Sequence, residues 1–377
     1  MLVLVCLLLL APFLANTPVQ AATRHELGIS TSATLLRMND KDLNARFTDI
    51  ERLGAKWIRV DFSWPAIQPD SPNKYHWGIY DRIVRVAGVH HLKILAVLDY
   101  TPTWAQEPWC AKRVITWAAG QKCNPKSNAT FARFVRAAAL RYKGKSIRAW
   151  EIWNEPNLSS YWKVAQAHNA VLSSPKTYAA LANAAAYQIR HNAPDTLIIT
   201  GGLGPMFSPV YPKGYRQSDF LARVLPLLDS HLFDGIGIHP YSWPALPTTV
   251  ALYNAFYTVD HGPLQYNLRT VMAHAGWQNK QLWGTEFGAP TQGISSVKPT
   301  LSQRPDHVNE TVQAQIITQG VREWYRKPNV GPLFIHSDSD RWLPKVKNRQ
   351  GGFGLRRSDG TKRPAYSAVQ YSAEQLP

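Results

Sequence analysis

The sequence is poor in cysteine and in acidic residues, and it has few long apolar runs. It contains 3 cysteines, and 25 Asp and Glu residues stand against 42 Lys and Arg residues in a chain of 377. So few cysteines exclude a disulfide-rich scaffold. Beyond the N-terminal segment no stretch approaches 18 apolar residues, so we expect no membrane-spanning helix there. The formal net charge of +17 favours contact with anionic surfaces or polymers.

Motifs of several function classes are also missing. There is no Gly-rich dinucleotide loop, no phosphate-binding Walker loop and no His-Glu-x-x-His zinc helix, so we expect neither a cofactor nor a metal. The basic charge comes without a nucleic-acid-binding motif, so no nucleic-acid partner is expected. Apolar residues make up 45% of the chain and charged residues 18%. This composition supports a large core and excludes a mainly disordered protein.

Residues 1–21 have the pattern of an export signal. Leu2–Leu14 is almost wholly apolar, and the small residues Val19 and Ala21 follow it, as they do at a cleavage site. The segment departs from the usual pattern because it has no Lys or Arg before the apolar run, and an uncleaved anchor is the alternative. We predict a signal peptide at 1–21 and a mature chain of 22–377 that is secreted or periplasmic.

Removal of that segment leaves two cysteines, Cys110 and Cys123. An even number in an exported protein indicates one disulfide, and two free thiols in a surface loop are the alternative. The pair falls within a long loop between Trp104 and Thr130, which a disulfide would stiffen. Ordered loops of this length usually have a binding role.

The rest of the chain alternates between β-rich apolar runs and helical patterns. Eight runs have the character of strands: Leu27–Thr31, Trp57–Trp64, Ile94–Thr101, Arg148–Asn154, Leu197–Gly202, Phe233–Tyr241, Gln281–Phe287 and Pro332–Ser337. Helical patterns include Asp40–Gly54, Thr130–Tyr142, a helix opened by Ser174 and Pro175, Asp306–Arg326 and Arg363–Leu376. Strand–helix alternation indicates parallel strands, and eight units predict a single-domain (β/α)8 TIM barrel.

Such barrels carry their active sites at the C-terminal ends of the strands, so polar residues there belong to one ring. Two carboxylates fall in this ring, Glu155 after strand four and Glu286 in strand seven. Glycoside hydrolysis needs two such groups, one that protonates the leaving oxygen and one that attacks the anomeric carbon. Their environments must separate their pKa values. Glu151, in the same strand as Glu155, is the alternative carboxylate.

Other residues of the ring support this pair. Arg59 would hold Glu286 ionised through a charge-assisted hydrogen bond, and Tyr241 would orient the same carboxylate. Asn154 would bind the sugar hydroxyl next to the reacting carbon. A structural ion pair is the alternative for Arg59, and a core position is the alternative for His239 and Tyr241.

Further candidates for substrate binding come from the strand ends and loops. Asp99 is either a minor sugar contact or structural, and His336 is either a ligand contact or a core histidine. Sugar rings stack on indole faces. The best tryptophan candidates for a cleft are Trp104, Trp153, Trp162 and Trp243, and the alternative is that loop tryptophans only cap the barrel.

These motifs together resemble a known group. Trp153-Asn154-Glu155-Pro156-Asn157, His239-Pro240-Tyr241 and Thr285-Glu286-Phe287-Gly288 are similar to motifs of the retaining glycoside hydrolases of clan A, most nearly families 5 and 39. Residues 97–102, Val-Leu-Asp-Tyr-Thr-Pro, are similar to a segment of secreted bacterial exopolysaccharide hydrolases.

The resemblance implies a role for each matched residue. Glu155 would be the acid/base, Glu286 the nucleophile and Asn154 a substrate binder, with Arg59, His239 and Tyr241 in support. Strand eight departs from the pattern. Family 5 enzymes usually end this strand with a tryptophan, whereas residues 333–336 here read Leu-Phe-Ile-His.

We therefore expect an exported retaining glycosidase that acts by double displacement. Its substrate would be a polysaccharide or oligosaccharide, namely a bacterial exopolysaccharide or a cell-envelope glycan, and galactofuranosyl polymers are one class that the resemblance and the basic charge imply. We expect a monomer with electrostatic association to an anionic envelope. An inactive carbohydrate-binding barrel and an inverting hydrolase, which needs more widely separated carboxylates, are the alternatives.

Overall fold

The computed structural model describes residues 25–31, 33–113, 120–165, 171–206, 214–292, 307–340 and 351–376. Eight strands within these ranges build one sheet: β1 Leu27–Ser30, β2 Trp57–Ser63, β3 Lys93–Asp99, β4 Ile147–Asn154, β5 Leu197–Gly202, β6 Gly235–Ile238, β7 Gln281–Phe287 and β8 Val330–His336. Each lies on one of the eight predicted runs. The predicted signal peptide at 1–21 lies outside the described residues, so its boundary stays a prediction.

The eight strands close into a parallel barrel in chain order, in which β1 pairs with both β2 and β8. Parallel neighbours need a crossover of a dozen or more residues, and helices supply most of these connections. The predicted (β/α)8 barrel is confirmed. A separate two-stranded antiparallel sheet, Val164–Ala165 with Val171–Leu172, follows β4.

The helices alternate with the strands and cover the outside of the barrel. Those of the described residues are α1 Asp40–Arg52, α2 Trp64–Ile67, α3 Gly78–Val89, α4 Pro108–Arg113, α5 Asn128–Tyr142, α6 Pro175–Asn192, α7 Gln217–Val224, α8 Leu268–His274, α9 Glu310–Tyr325 and α10 Pro364–Glu374. Ser174 caps α6, and its side chain accepts a hydrogen bond from Thr177 N as the sequence predicted. The α9 helix begins four residues later than predicted because Asn309 caps it through Val312 N.

The barrel interior changes from apolar to charged along the strands. One apolar cluster inside it consists of Trp57, Leu95, Ala149, Ile199, Trp283 and Phe334. Along β2, side chains of alternate residues point inward, so Trp57 is followed by Arg59 and then Asp61. Arg59 and Asp61 reach the C-terminal opening, where they line a cleft. The alternation of residues along the strand thus places apolar side chains deep inside the barrel and charged side chains at its C-terminal opening.

The predicted disulfide is confirmed, since Cys110 and Cys123 are bonded and both are buried. It ties down the segment that follows β3. Thr101 strengthens this attachment because its N–H donates to Gln121 O and its hydroxyl donates to Cys123 O. Residues 121–123 are therefore fixed beside the C-terminal end of β3.

Two kinds of feature are absent from the part of the chain that the structure describes. No helix there has the length and apolar character needed to cross a membrane. Nor do three or more His, Cys, Asp or Glu side chains converge there in an arrangement suited to a metal ion.

Candidate active site

A cleft opens at the C-terminal end of the barrel, and residues from the end of every strand contribute to its walls. The lining side chains are Ser30, Thr31, Arg59, Asp61, Tyr100, Lys122, Asn154, Glu155, Leu158, Ser160, Tyr161, Pro205, Tyr241, Trp243, Glu286, His336 and Phe353. Five predicted contacts from the ends of four strands thus lie in one place: Arg59, Asn154, Tyr241, Trp243 and His336. Both predicted catalytic glutamates are there with them.

His239 links the two glutamates. Its Nδ1 atom lies 3.0 Å from Glu155 Oε1 and 3.6 Å from Glu286 Oε2. The imidazole is fully buried, whereas both carboxyl groups are partly exposed to the cleft. Burial alone would lower the pKa of His239, but Glu286 and the hydrogen bond to Glu155 raise it above the usual value.

Glu286 is surrounded by positive charge and hydrogen-bond donors. Arg59 Nη1 donates to its Oε1 over 2.7 Å, and Tyr241 OH donates to its Oε2 over 2.9 Å. Burial alone would raise the pKa of Glu286. The charges of His239, His336 and Arg59, together with the bond from Tyr241, instead hold it well below the usual range. The carboxyl is therefore kept ionised.

Arg59 is itself held by a second, buried carboxylate. Its Nε and Nη2 atoms donate to the two oxygens of Glu151 over 2.7 and 3.0 Å, and Nη2 also donates to Asn154 Oδ1 over 2.7 Å. Glu151 is fully buried and accepts a further bond from Gly202 N. It anchors the guanidinium and does not face the cleft. Arg59 thus combines its two predicted roles, as a structural pair and as a partner of Glu286.

The end of β4 departs from regular strand geometry. Trp153 and Glu155 both adopt positive φ angles, 73° and 47°. This left-handed region costs a non-glycine residue roughly 1–3 kcal/mol. The left-handed conformations of these two residues break the alternation of the strand. As a result, Trp153 points into the outer core, while Asn154 and Glu155 both point into the cleft. The Glu155 backbone N–H still donates a hydrogen bond to Gly202 O over 2.9 Å, so the backbone at this residue stays bonded to β5.

Two glycines at the end of β5 make room for these side chains. A Cβ atom on Gly202 would lie 2.4 Å from His239 Nε2, and one on Gly204 would lie 2.5 Å from Glu155 Oε1. Such separations are far below van der Waals contact. Glycine at these positions is thus required by the placement of His239 and Glu155.

The four tryptophans are distributed differently from the prediction. Trp243 lines the cleft, near Phe353. Trp153 and Trp162 are fully buried, and their indole N–H groups donate to Tyr161 O and Thr177 Oγ1. Trp104 donates to Gln68 O and packs edge-on against Trp64. Trp153 packs against the cleft residue Tyr100, and Trp162 packs against Trp153.

Asp99 and His336 occupy different positions relative to the cleft. Asp99 is fully buried beneath the cleft, and burial together with the charge of Asp61 raises its pKa well above the usual value. His336 is on the cleft surface, where its ring packs against Phe353 at 5.1 Å. The histidine and Phe353 thus form the aromatic surface at the end of β8.

Several side chains of the cleft were not among the predicted site residues, and they include Tyr100, Lys122, Tyr161 and Phe353. Tyr100 follows Asp99 at the end of a predicted strand, and Lys122 precedes Cys123, so both had a positional signal. Phe353 had none, because it is brought to β8 by pairing of residues 337 and 353–355, in which Ser337 N donates to Phe353 O and Leu355 N donates to Ser337 O.

The chain matches the sequence model of a known enzyme family. The sequence model described as Cellulase (glycosyl hydrolase family 5) matches residues 19–316. The chain belongs to glycosyl hydrolase family 5. The matched region includes both cleft glutamates, and it ends before β8. The resemblance seen in the sequence motifs is confirmed.

Solved structures share the fold of this family 5 chain. A family 39 glycoside hydrolase from Bacteroides cellulosilyticus WH2 superposes with a TM-score of 0.67 at 21% identity, over 93% of this chain and 64% of that one. A monomeric beta-xylosidase from Caulobacter crescentus CB15 gives 0.66 at 18%, over 94% and 68%. GH5_18 from Streptomyces cattleya, in complex with GlcNAc, gives 0.66 at 15%, over 94% and 82%.

The family 5 chain spans 64% of the length of the family 39 protein. No curated protein sequence matches it.

Proposed function

We propose that this chain is a retaining glycoside hydrolase that cleaves O-glycosidic bonds of a polysaccharide by double displacement. The observation that carries the proposal is the pairing of Glu155 and Glu286 in one cleft, with a single histidine between them. Two carboxyl groups in unlike surroundings are what this chemistry needs.

The separation of the two glutamates supports retention. His239 Nδ1 is 3.0 Å from Glu155 Oε1 and 3.6 Å from Glu286 Oε2, so these oxygens are at most about 6.6 Å apart. Retaining enzymes hold their carboxyl groups about 5–5.5 Å apart, and inverting enzymes hold them about 6.5–9.5 Å apart to admit a water. The limit for this oxygen pair includes the retaining range and reaches only the lower edge of the inverting range.

In the first step, an ionised Glu286 oxygen attacks the anomeric carbon. Glu155 donates its proton to the glycosidic oxygen, and the bond from that oxygen to the anomeric carbon breaks. The products are a protonated leaving group and a glycosyl ester on Glu286. Arg59 and Tyr241 hold the attacking carboxylate in place, so little reorganisation is required.

In the second step, water replaces the leaving group. Glu155 accepts a proton from this water as its oxygen attacks the anomeric carbon, and the ester bond to Glu286 breaks. Both residues return to their starting protonation. Asn154, aligned by Arg59, is placed to bind a sugar hydroxyl, an interaction that strengthens as positive charge develops on the ring.

For the substrate we propose a bacterial exopolysaccharide or cell-envelope glycan, with galactofuranosyl polymers as one class. The net charge of +17 supports an acidic polymer or surface as partner. The Cys110–Cys123 disulfide supports an oxidising location outside the cytoplasm. A monomeric enzyme among the similar structures supports a monomer.

Basic residues in the loop after β8 contribute to the net charge, but two of them are engaged within the fold. Arg356 pairs with Asp49, and Arg357 pairs with Glu310, so both arginines are engaged within the fold. Lys345, Lys347 and Arg349 lie outside the described residues. The proposed association with an anionic envelope therefore rests on the net charge of the whole chain.

The test is digestion of a panel of purified envelope glycans and exopolysaccharides. Product size is followed by chromatography, and the anomeric configuration of the first product by NMR. We expect the wild-type protein to release products with the configuration of the substrate, and Glu286→Gln to release none. Inverted products would overturn the retaining mechanism. Glycans that bind to the wild-type protein yet stay intact would indicate the inactive binding barrel.

A further inference from the structure

Lys122 projects from the segment after β3 onto the wall of the cleft. Its Nζ atom lies 4.2 Å from the ring centre of Tyr100 and 3.8 Å from that of Tyr161. The backbone on both sides is fixed, because Thr101 bonds to Gln121 O and Cys123 O and the disulfide closes at Cys123. The fold thus holds this ammonium group in a defined place.

The ammonium group has no conventional acceptor among the residues that the structure describes. None of their carboxylates forms an ion pair with Nζ within 4.0 Å, and none of their oxygens accepts a hydrogen bond from it. The two ring faces attract a cation but leave its three N–H donors without hydrogen-bond partners. Burial lowers the pKa of Lys122 to about 8, against the attraction of nearby carboxyl groups.

The charged groups around Lys122 come from several elements. Asp99 at the end of β3, Glu155 after β4 and Asp61 on β2 favour its charged form, and Lys163 opposes it. Asp99 holds a proton more readily than an ordinary aspartate because burial raises its pKa. Glu155 carries a proton in the proposed mechanism before the bond is cleaved. With these two groups protonated, Asp61 is the remaining carboxylate among the three that acts on Lys122.

Lys122 lines the same cleft as Asn154 and Glu155. The Lys122 ammonium group interacts electrostatically with Glu155. Tyr100, whose ring the ammonium group contacts, accepts a hydrogen bond from Asn154 Nδ2 at 3.4 Å. A sugar bound against Asn154 and Glu155 would present its substituents to this wall. Charge-assisted hydrogen bonds are about twice as strong as neutral ones, so an anionic oxygen is the partner that gains most here.

We propose that Lys122 is a specificity-determining residue that binds an anionic oxygen group, such as a uronate carboxylate or a sulfate ester, on the sugar beside the scissile bond. This inference rests on the proposed function and refines its substrate class to acidic glycans. It assigns recognition to a single residue outside the catalytic pair.

The experiment measures binding with the full chain carrying Glu286→Gln, which leaves bound glycans intact. The probe is an array of oligosaccharides in matched neutral, uronate-containing and sulfated forms. Lys122→Met and Lys122→Arg are each added to this background. Lys126→Met is the matched control, because it removes the same charge from an exposed position in the same loop.

We expect the parent to prefer acidic glycans and Lys122→Met to reduce that preference by about 10-fold or more. Lys122→Arg should retain part of it, and Lys126→Met should retain it in full. The uronate and sulfate arms identify which group is bound. An equal loss for neutral and acidic members, or an equal effect of Lys126→Met, would overturn the proposal.

A second measurement needs no substitution at Lys122. Since the ammonium is charged below its pKa, the preference should be full below pH 8 and fade as the pH rises through about 8. A preference that is constant across this range contradicts the assignment. Hydrolysis by the wild-type protein is scored separately, so a binding preference without cleavage would reject the proposed function alone.

Discussion

Among single residues, Arg59 connects the buried and the cleft-facing polar groups of the site. It joins the buried Glu151 to the partly exposed Glu286 and also orients Asn154. Removing one partner of a buried ion pair leaves the other uncompensated, which costs about 3–5 kcal/mol. The same side chain therefore supports both the stability of the barrel and the ionised state of Glu286. Variants of Tyr241, which contacts Glu286 from the other side, separate these effects better.

Tyr241→Phe should move the acidic limb of the pH profile to higher pH. The phenol donates a hydrogen bond to the ionised Glu286, so its removal raises the pKa of that carboxyl. Glu286 is then protonated, and unable to attack, at a higher pH than in the wild type. The measurement is kcat/KM from about pH 2 to pH 7, a range that extends below the ordinary carboxyl pKa. An acidic limb that does not move would mean that Tyr241 does not influence the charge of Glu286.

Among the elements, the end of β5 determines where the carboxyl group of Glu155, the proposed acid/base, can lie. Gly204→Ala would place a Cβ atom 2.5 Å from Glu155 Oε1, so the carboxyl must move. A general acid contributes about 10²–10⁴-fold to the rate, and we expect kcat to fall by a substantial part of that factor. Circular dichroism should show an intact fold. Gly78→Ala is the control, since nothing lies within 4 Å of its added Cβ atom. Equal activities of the two variants would contradict the placement of Glu155.

The loop after β3 offers a second prediction at this scale. Cys110→Ala with Cys123→Ala opens a loop with a sequence separation of 13. Closing a loop of this size stabilises a protein by about 3 kcal/mol. The double variant should lose about that much in chemical denaturation and should also weaken any preference that depends on Lys122. If stability falls by the expected amount but the glycan preference does not change, the loop holds its shape without the disulfide.

The sequence predicted the elements better than the directions of individual side chains. All eight strands were evident because each is a buried apolar run, and the glutamates were found because strand ends of a closed barrel meet. The position of Trp153 was not evident, because its left-handed conformation reverses the expected alternation, and Trp162 is buried against it. Phe353 was missed because non-local hydrogen bonds, not local periodicity, bring it to β8.

For the whole molecule, the net charge of +17 and the single charge of Lys122 should respond differently to salt. Attraction between exposed charges is screened beyond about 8 Å at physiological ionic strength, whereas a contact in a partly buried cleft is screened much less. Binding of the Glu286→Gln protein to a long acidic polysaccharide should therefore weaken steeply with added NaCl. The ratio of its affinities for short acidic and neutral oligosaccharides should fall far less. Titration calorimetry at increasing NaCl concentration measures both. If the two decline in parallel, recognition of acidic glycans is a property of the overall charge and not of the cleft.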